Sequence, residues 1–226
     1  MTITKKHEQS LSYIHDYGID IFNREVYLHS IGTSDDDEGG VDFKAAVTLQ
    51  KNLRFLDSIS FDPIIIHMHI PGGNWCDCVA MYESIKSCGS PIGIVVYSRA
   101  ESCGSVIIQA ADLRIMVPSS YMLIHYGSTS IDGDHKVAMS NLEWSQKEAN
   151  KMIDIFNDKI MLSTLVANKK WSKVNARKHI ISQLDNKADW ILYPQEVVDY
   201  GFADGVLGSK EYPDISTMKQ HLTKMY

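Results

Sequence analysis

The chain has 226 residues, with 22 Lys and Arg against 28 Asp and Glu, for a formal net charge of −6. That length suits one large domain with its own core, and 44% hydrophobic with 22% charged residues is ordinary globular composition. The acidic balance argues against nucleic acid. No run approaches the roughly 20 apolar residues of a membrane span, and the polar N-terminus shows no secretory signal, so a cytoplasmic protein with reduced cysteines is expected.

Residues 1–20 read as a polar N-terminal arm or short helix, anchored by Tyr13, Ile14 and Tyr17. Val26-Tyr27-Leu28 predicts a strand. Thr33 to Gly40 (TSDDDEGG) predicts a solvated loop, because four acids followed by two glycines cannot bury themselves, and their spacing does not match a calcium-binding EF-hand. Phe43 to Leu56 predicts an amphipathic helix, with Ala46, Leu49, Leu53 and Leu56 at helical spacing. Ile64 to Ile70 predicts a strand that Pro71-Gly72-Gly73 stops, and Asn74 predicts the N-cap of a helix running to about Ser87.

Ile92 to Tyr97 is a β-branched run and predicts a buried strand. Ser102 to Ala111, small and apolar, predicts a buried helix. Leu113 to Val117 and Tyr121 to His125 predict further strands. Strands and helices thus alternate, which implies α/β layers on a mostly parallel sheet. Beyond the polar loop of Gly127 to Asp134, a long helix is predicted over Leu142 to Val166. Its stripe of Met152, Ile153, Phe156 and Ile160 suits a packing or oligomer face. Trp171 to Leu184 predicts another helix, and Trp190 to Leu192 a short strand.

Four places could carry chemistry. Ser102, between a strand and a helix, can serve as a cap or as a nucleophile beside free backbone N–H donors. Pro71-Gly72-Gly73 lets backbone approach a ligand without a Cβ in the way, or simply turns the chain. His125, ending a strand, can act as a general base or as a hydrogen-bonded core residue. Asp189 can orient an imidazole. Cys103, next to Ser102, is a second candidate nucleophile. No metal site is expected. Cys76 and Cys78 would face ~200° apart on a helix, and His67 and His69 alone fall short of the usual ligand number.

Taken in order, these segments resemble the ClpP family of Clp-protease proteolytic subunits, within the ClpP/crotonase superfamily. The resemblance runs from about Val26 to Val206. It rests on Pro71-Gly72-Gly73, Ala80-Met81-Tyr82, Glu101-Ser102-Cys103-Gly104, Met122-Leu123-Ile124-His125, and the stretch from Asp189 through Glu196, Tyr200 and Gly201 to Asp204. It implies a repeated β-β-α spiral fold with a projecting handle helix. Residues 21–210 would be the protease domain, about 127–188 its handle region, and 211–226 a C-terminal tail.

It also implies a serine endopeptidase without a cofactor, with Ser102 as nucleophile, His125 as general base and Asp189 as the orienting acid. Gly73 and Cys103 would supply the oxyanion-hole N–H groups. The implied partners are copies of the chain in heptameric rings stacked as a tetradecamer, a Clp-type AAA+ ATPase, and unfolded or threaded protein substrates. Ile65 and His67 occupy the positions where the family docks its ATPase with aromatics. Cys103 stands in place of the family's Met, the interval from His125 to Asp189 is longer than the family norm, and the acidic loop looks inserted. Alternatives are a dedicated precursor-processing protease such as one for viral head maturation, a crotonase-like acyl-CoA enzyme, and an inactive structural ring subunit.

Overall fold

The computed structural model describes residues 4–28, 39–128 and 133–225. Most of the acidic loop predicted from Thr33 onward, and part of the polar loop after Gly127, lie outside the described residues. Helix α1 (Lys5–Tyr17) ends at Gly18, whose φ of 65° is the left-handed cap that glycine adopts at little steric cost. Strand β1 (Ile19–Asp20) then pairs antiparallel with β2 (Glu25–Leu28). Helix α2 (Phe43–Ile59) is capped by the Asp42 carboxylate, which accepts from the Ala45 N–H. The apolar run confined between Pro63 and Pro71 forms β3 (Ile64–Ile70). Asn74 caps α3 (Trp75–Lys86) by accepting from the N–H groups of Cys76 and Asp77.

Strand β4 (Ile92–Glu101) runs longer than its β-branched segment, and α4 (Cys103–Ile107) follows with a 3₁₀ turn over Ile108–Ala110. Next come β5 (Leu113–Met116), β6 (Tyr121–Ile124) and α5 (His135–Ile160), which Asp134 caps. The long helix begins earlier than predicted and stops before Ser163, which caps a separate α6 (Thr164–Lys169). The remaining elements are α7 (Lys173–Asn186), β7 (Trp190–Leu192), α8 (Pro194–Asp199), β8 (Gly205–Val206) and α9 (Ile215–Met225).

The eight strands among the described residues form one sheet in the order β1-β2-β3-β4-β5-β8, parallel from β2 onward, with β6 branching off β4 and carrying β7 antiparallel. Strand β4 serves two neighbours in turn. Gly93 to Val96 pair with β5, and Arg99 to Glu101 pair with β6. The far end of β4 thus exchanges β5 for β6 while β3 stays beside it, with Ile70 opposite Ala100.

Both faces of the sheet's centre are covered, so Ile64 to Ile66 and Ile92 to Val96 are buried without alternation, while His69 and Tyr97 farther along their strands are exposed. Ile64, Ile66, Met68 and Ile70 face the main core with α2, α3 and α4. Ile65 and Val95 face a smaller core completed by Met218 and Leu222 of α9. The stripe of Met152, Ile153, Phe156 and Ile160 is consumed inside the chain. All four are buried in the main core, and Phe156 meets Phe202 edge-on at 5.0 Å. That stripe is therefore a packing face, and the exposed apolar residues of α5 lie nearer its start, at Val137, Met139, Leu142 and Trp144. Among the described residues no helix is long and apolar enough to cross a membrane.

Candidate active site

Ser102 follows directly on β4, and its N–H donates to the Leu123 carbonyl at 2.9 Å, extending the β4–β6 ladder by one residue. Its backbone sits at φ 51° and ψ −116°, where an L-residue is strained. The sharp corner turns the chain from strand into α4 and presents the hydroxyl at the sheet's edge. His125 follows the last residue of the neighbouring parallel strand β6. Because β6 and β7 are antiparallel with Ile124 opposite Trp190, the next pair outward is His125 and Asp189. Their side chains meet, with Nδ1 3.4 Å from Oδ1. The other ring nitrogen, Nε2, is buried without a hydrogen-bond partner. No hydrogen bond therefore joins it to Ser102 Oγ.

Ser102, Cys103 and His125 line one cavity of about 540 Å³, together with Gly73 and Trp75. Helix α5 supplies the facing wall through Trp144, Ser145, Glu148, Ala149 and Met152. Glu148 ties that wall to the glycine turn. Its carboxylate accepts from Trp75 Nε1 at 2.6 Å and from Lys151 Nζ at 2.6 Å, and these bonds, Lys151 first, hold it below the usual carboxylate range.

The glycine turn is fixed by Val41. The Val41 N–H donates to Gly72 O at 2.6 Å, and Asn74 N–H donates to Val41 O at 2.7 Å. This parallel bridge uses the residues on either side of Gly73, so the Gly73 peptide groups face the other way, toward Cys103. The Cys103 thiol donates to Gly73 O at 3.2 Å. A Cβ on Gly73 would lie 2.3 Å from the Val41 carbonyl oxygen, and one on Gly72 would lie 2.8 Å from Ser102 Cβ. Both glycines are sterically required, for different neighbours.

The sequence reasoning thus names residues that the fold gathers at one corner: Gly73, Ser102, Cys103, His125 and Asp189. Gly72, named with Gly73 in the same turn, joins them, whereas Val41, Trp75 and Glu148 are passed over. The doubled glycine, which admits a close backbone neighbour, is the one sequence signal for Val41; nothing local marks the other two. Ile65 and His67 lie elsewhere. Ile65 is fully buried against Met218 and Leu222, so it offers no surface to a partner. His67 is half-buried and stacks on Tyr27 with ring centroids 4.7 Å apart. It also hydrogen-bonds Glu25 and the Tyr97 hydroxyl.

The parallel-rich α/β sheet with its helices is the fold of the Clp proteases' proteolytic subunits. A family model described as Clp protease matches residues 38–210, and the chain belongs to the Clp protease family, whose members are serine peptidases. It is 26% identical over 170 residues to the ATP-dependent Clp protease proteolytic subunit of Deinococcus radiodurans, covering 74% of this chain and 76% of that protein. It is 28% identical over 174 residues to the ATP-dependent Clp protease proteolytic subunit 2 of Pseudomonas aeruginosa, covering 76% and 79%. A solved mutant of ClpP1 from Listeria monocytogenes shares the fold with a TM-score of 0.64, at 19% identity over 84% of this chain and 95% of that one.

Proposed function

We propose that the chain is a serine endopeptidase in which Ser102, His125 and Asp189 form a catalytic triad, with residues 21–210 as the peptidase domain. The observation that carries this reading is the histidine: one nitrogen faces the Asp189 carboxylate, while the other is buried and unpartnered beside the cavity that Ser102 lines. A buried polar atom without a partner is costly, and such atoms mark sites where a reacting group belongs. Asp189 favours the tautomer with the proton on Nδ1, leaving Nε2 as a base.

In the proposed reaction, Ser102 Oγ attacks a peptide carbonyl as His125 Nε2 takes its proton. The N–H groups of Gly73 and Cys103 hold the oxyanion. His125 then protonates the leaving amine, and water, activated by the same imidazole, hydrolyses the acyl-enzyme. The missing Ser102–His125 hydrogen bond is common for a resting site and closes as substrate binds. The substrates are unfolded or threaded protein chains, delivered by a Clp-type ATPase into a chamber built from stacked rings of this chain.

The test combines a fluorogenic peptide assay with a fluorophosphonate probe. We expect the probe to label Ser102, peptide to compete with it, and Ser102→Ala to lower turnover by about 10⁴-fold or more. Full hydrolysis by Ser102→Ala, or labelling at another residue, would overturn the assignment.

A further inference from the structure

We propose that Cys103 and Cys78 form a thiol pair at the base of the cavity, in which a small hydroperoxide oxidises Cys103 and Cys78 resolves it to a disulfide that switches the site off. The regulatory half rests on the peptidase reading above; the thiol chemistry does not.

The two cysteines lie on different helices that meet behind the serine corner. Cys103, the first residue of α4, lines the cavity and is 4% exposed. Cys78, on α3, lies behind it with no exposure, and its thiol is 3.5 Å from the Cys103 carbonyl oxygen. An oxidant entering from the cavity therefore reaches Cys103 first, and the nearest thiol is then Cys78.

The surroundings fit a reactive and a resolving thiol. Interaction with Cys78 lowers the Cys103 thiol from its ordinary range; burial opposes this, and contacts with the Gly73 backbone and the Ser102 side chain assist it. The same contact, with burial, raises Cys78. The other two cysteines are natural controls. Cys76 is exposed on the opposite side of α3. Burial pushes Cys88 up to about 12, and its thiol donates to Asp57 at 3.3 Å.

In the first step the Cys103 thiolate attacks the O–O bond of hydrogen peroxide. Its sulfur loses two electrons and becomes a sulfenic acid, and the expelled hydroxide takes a proton to form water. Cys78 sulfur then attacks the sulfenic sulfur, the S–S bond forms, and the departing hydroxide leaves as water with the Cys78 proton. One peroxide and two thiols thus yield a disulfide and two waters. The disulfide removes the S–H that Cys103 donates to Gly73 O, the contact that couples the glycine turn to the serine corner. Gly73 and Cys103 would then no longer hold their N–H groups in register for an oxyanion.

The test is peptide mapping of the full chain after brief hydrogen peroxide treatment and alkylation of remaining thiols, alongside fluorophosphonate labelling of Ser102. The expected result is a Cys78–Cys103 linked peptide, lighter by two hydrogens, with Cys76 and Cys88 still alkylated. Labelling should fall by about a hundredfold and return with dithiothreitol. Cys78→Ala, and Cys78→Ser in case alanine leaves a damaging cavity, should label normally before treatment. After peroxide they should carry Cys103 sulfinic acid and not recover. Oxidation of Cys76 or Cys88 with the pair still reduced would overturn the site. A linked peptide with unchanged labelling would overturn the switch. A linked peptide in a protein that never labels at Ser102 would instead overturn the peptidase reading and leave the thiol pair standing.

Discussion

Ser102 holds φ 51° only because its surroundings leave that conformation open, and Gly72 is the neighbour that does so most directly. A methyl group at Gly72 would lie 2.8 Å from Ser102 Cβ and 3.3 Å from Oγ, and Gly72 itself sits at φ 110°. Gly72→Ala should therefore displace the hydroxyl by a fraction of an ångström or more and lower Ser102 labelling on the order of a hundredfold. Gly208→Ala is the matched control. It imposes similar backbone strain at φ 86°, but a Cβ there meets nothing within 4 Å. Its expected outcome is about 1–3 kcal/mol lost in a urea melt with labelling preserved. Equal loss of labelling in both variants would show that general destabilisation, not the contact with Ser102, is responsible.

Glu25 ties three elements together: β2 that carries it, β3 through His67 at 3.1 Å, and α9 through Lys219 at 2.7 Å. Burial alone would raise its pKa, but the hydrogen bonds from His67 and Lys219 hold it down to about 2, from an ordinary 4.5. A depressed carboxyl stabilises the fold fully above its unfolded pKa. That contribution is lost as pH falls from about 4.5 toward 2. Glu25→Gln should thus be less stable than the parent near neutral pH, with the gap in urea midpoint closing across that window. A gap that stays constant down to pH ~2 would count against the linkage.

The same elements show how far the sequence can be read. Ile64 to Ile70 is legible because a seven-residue, isoleucine-rich run between two prolines is too short for a helix and β-branched enough for a strand. Helix α9 is signalled by Ile215, Met218 and Leu222 at helical spacing, yet the surrounding polar residues make it read as a tail. What fixes it is a sheet face, of Ile65 and Val95, that no local pattern announces. The same cause hides the fate of Ile65, whose burial depends on a segment more than a hundred positions away. At the site, single residues come from motifs, but the His125–Asp189 encounter depends on a three-residue strand whose antiparallel register is set by tertiary pairing.

Seen across the whole chain, helix α5 has two unlike halves. Its later residues close the main core, whereas Val137, Met139, Leu142 and Trp144 lie 40–49% exposed within a short stretch. Scattered exposed apolar residues are ordinary, but several together on one helix offer a surface that a second copy could cover. Trp144 also lines the cavity, and Ser145 and Glu148 follow it on the same wall. Val137 and Trp144 share one face and Met139 and Leu142 the nearly opposite one, so copies that enclose this half of α5 from both sides would bury all four and steady the wall that faces Ser102. Burying a side chain the size of leucine stabilises by about 1.5–3 kcal/mol, so Leu142→Asp, which adds a charge as well, should weaken such an assembly roughly tenfold or more. Sedimentation velocity should show the variant dissociating at concentrations where the parent remains assembled, and peptide hydrolysis per chain should fall with the assembled fraction. A dissociated Leu142→Asp chain that turns over peptide at the parent's full rate would refute the coupling between assembly and activity.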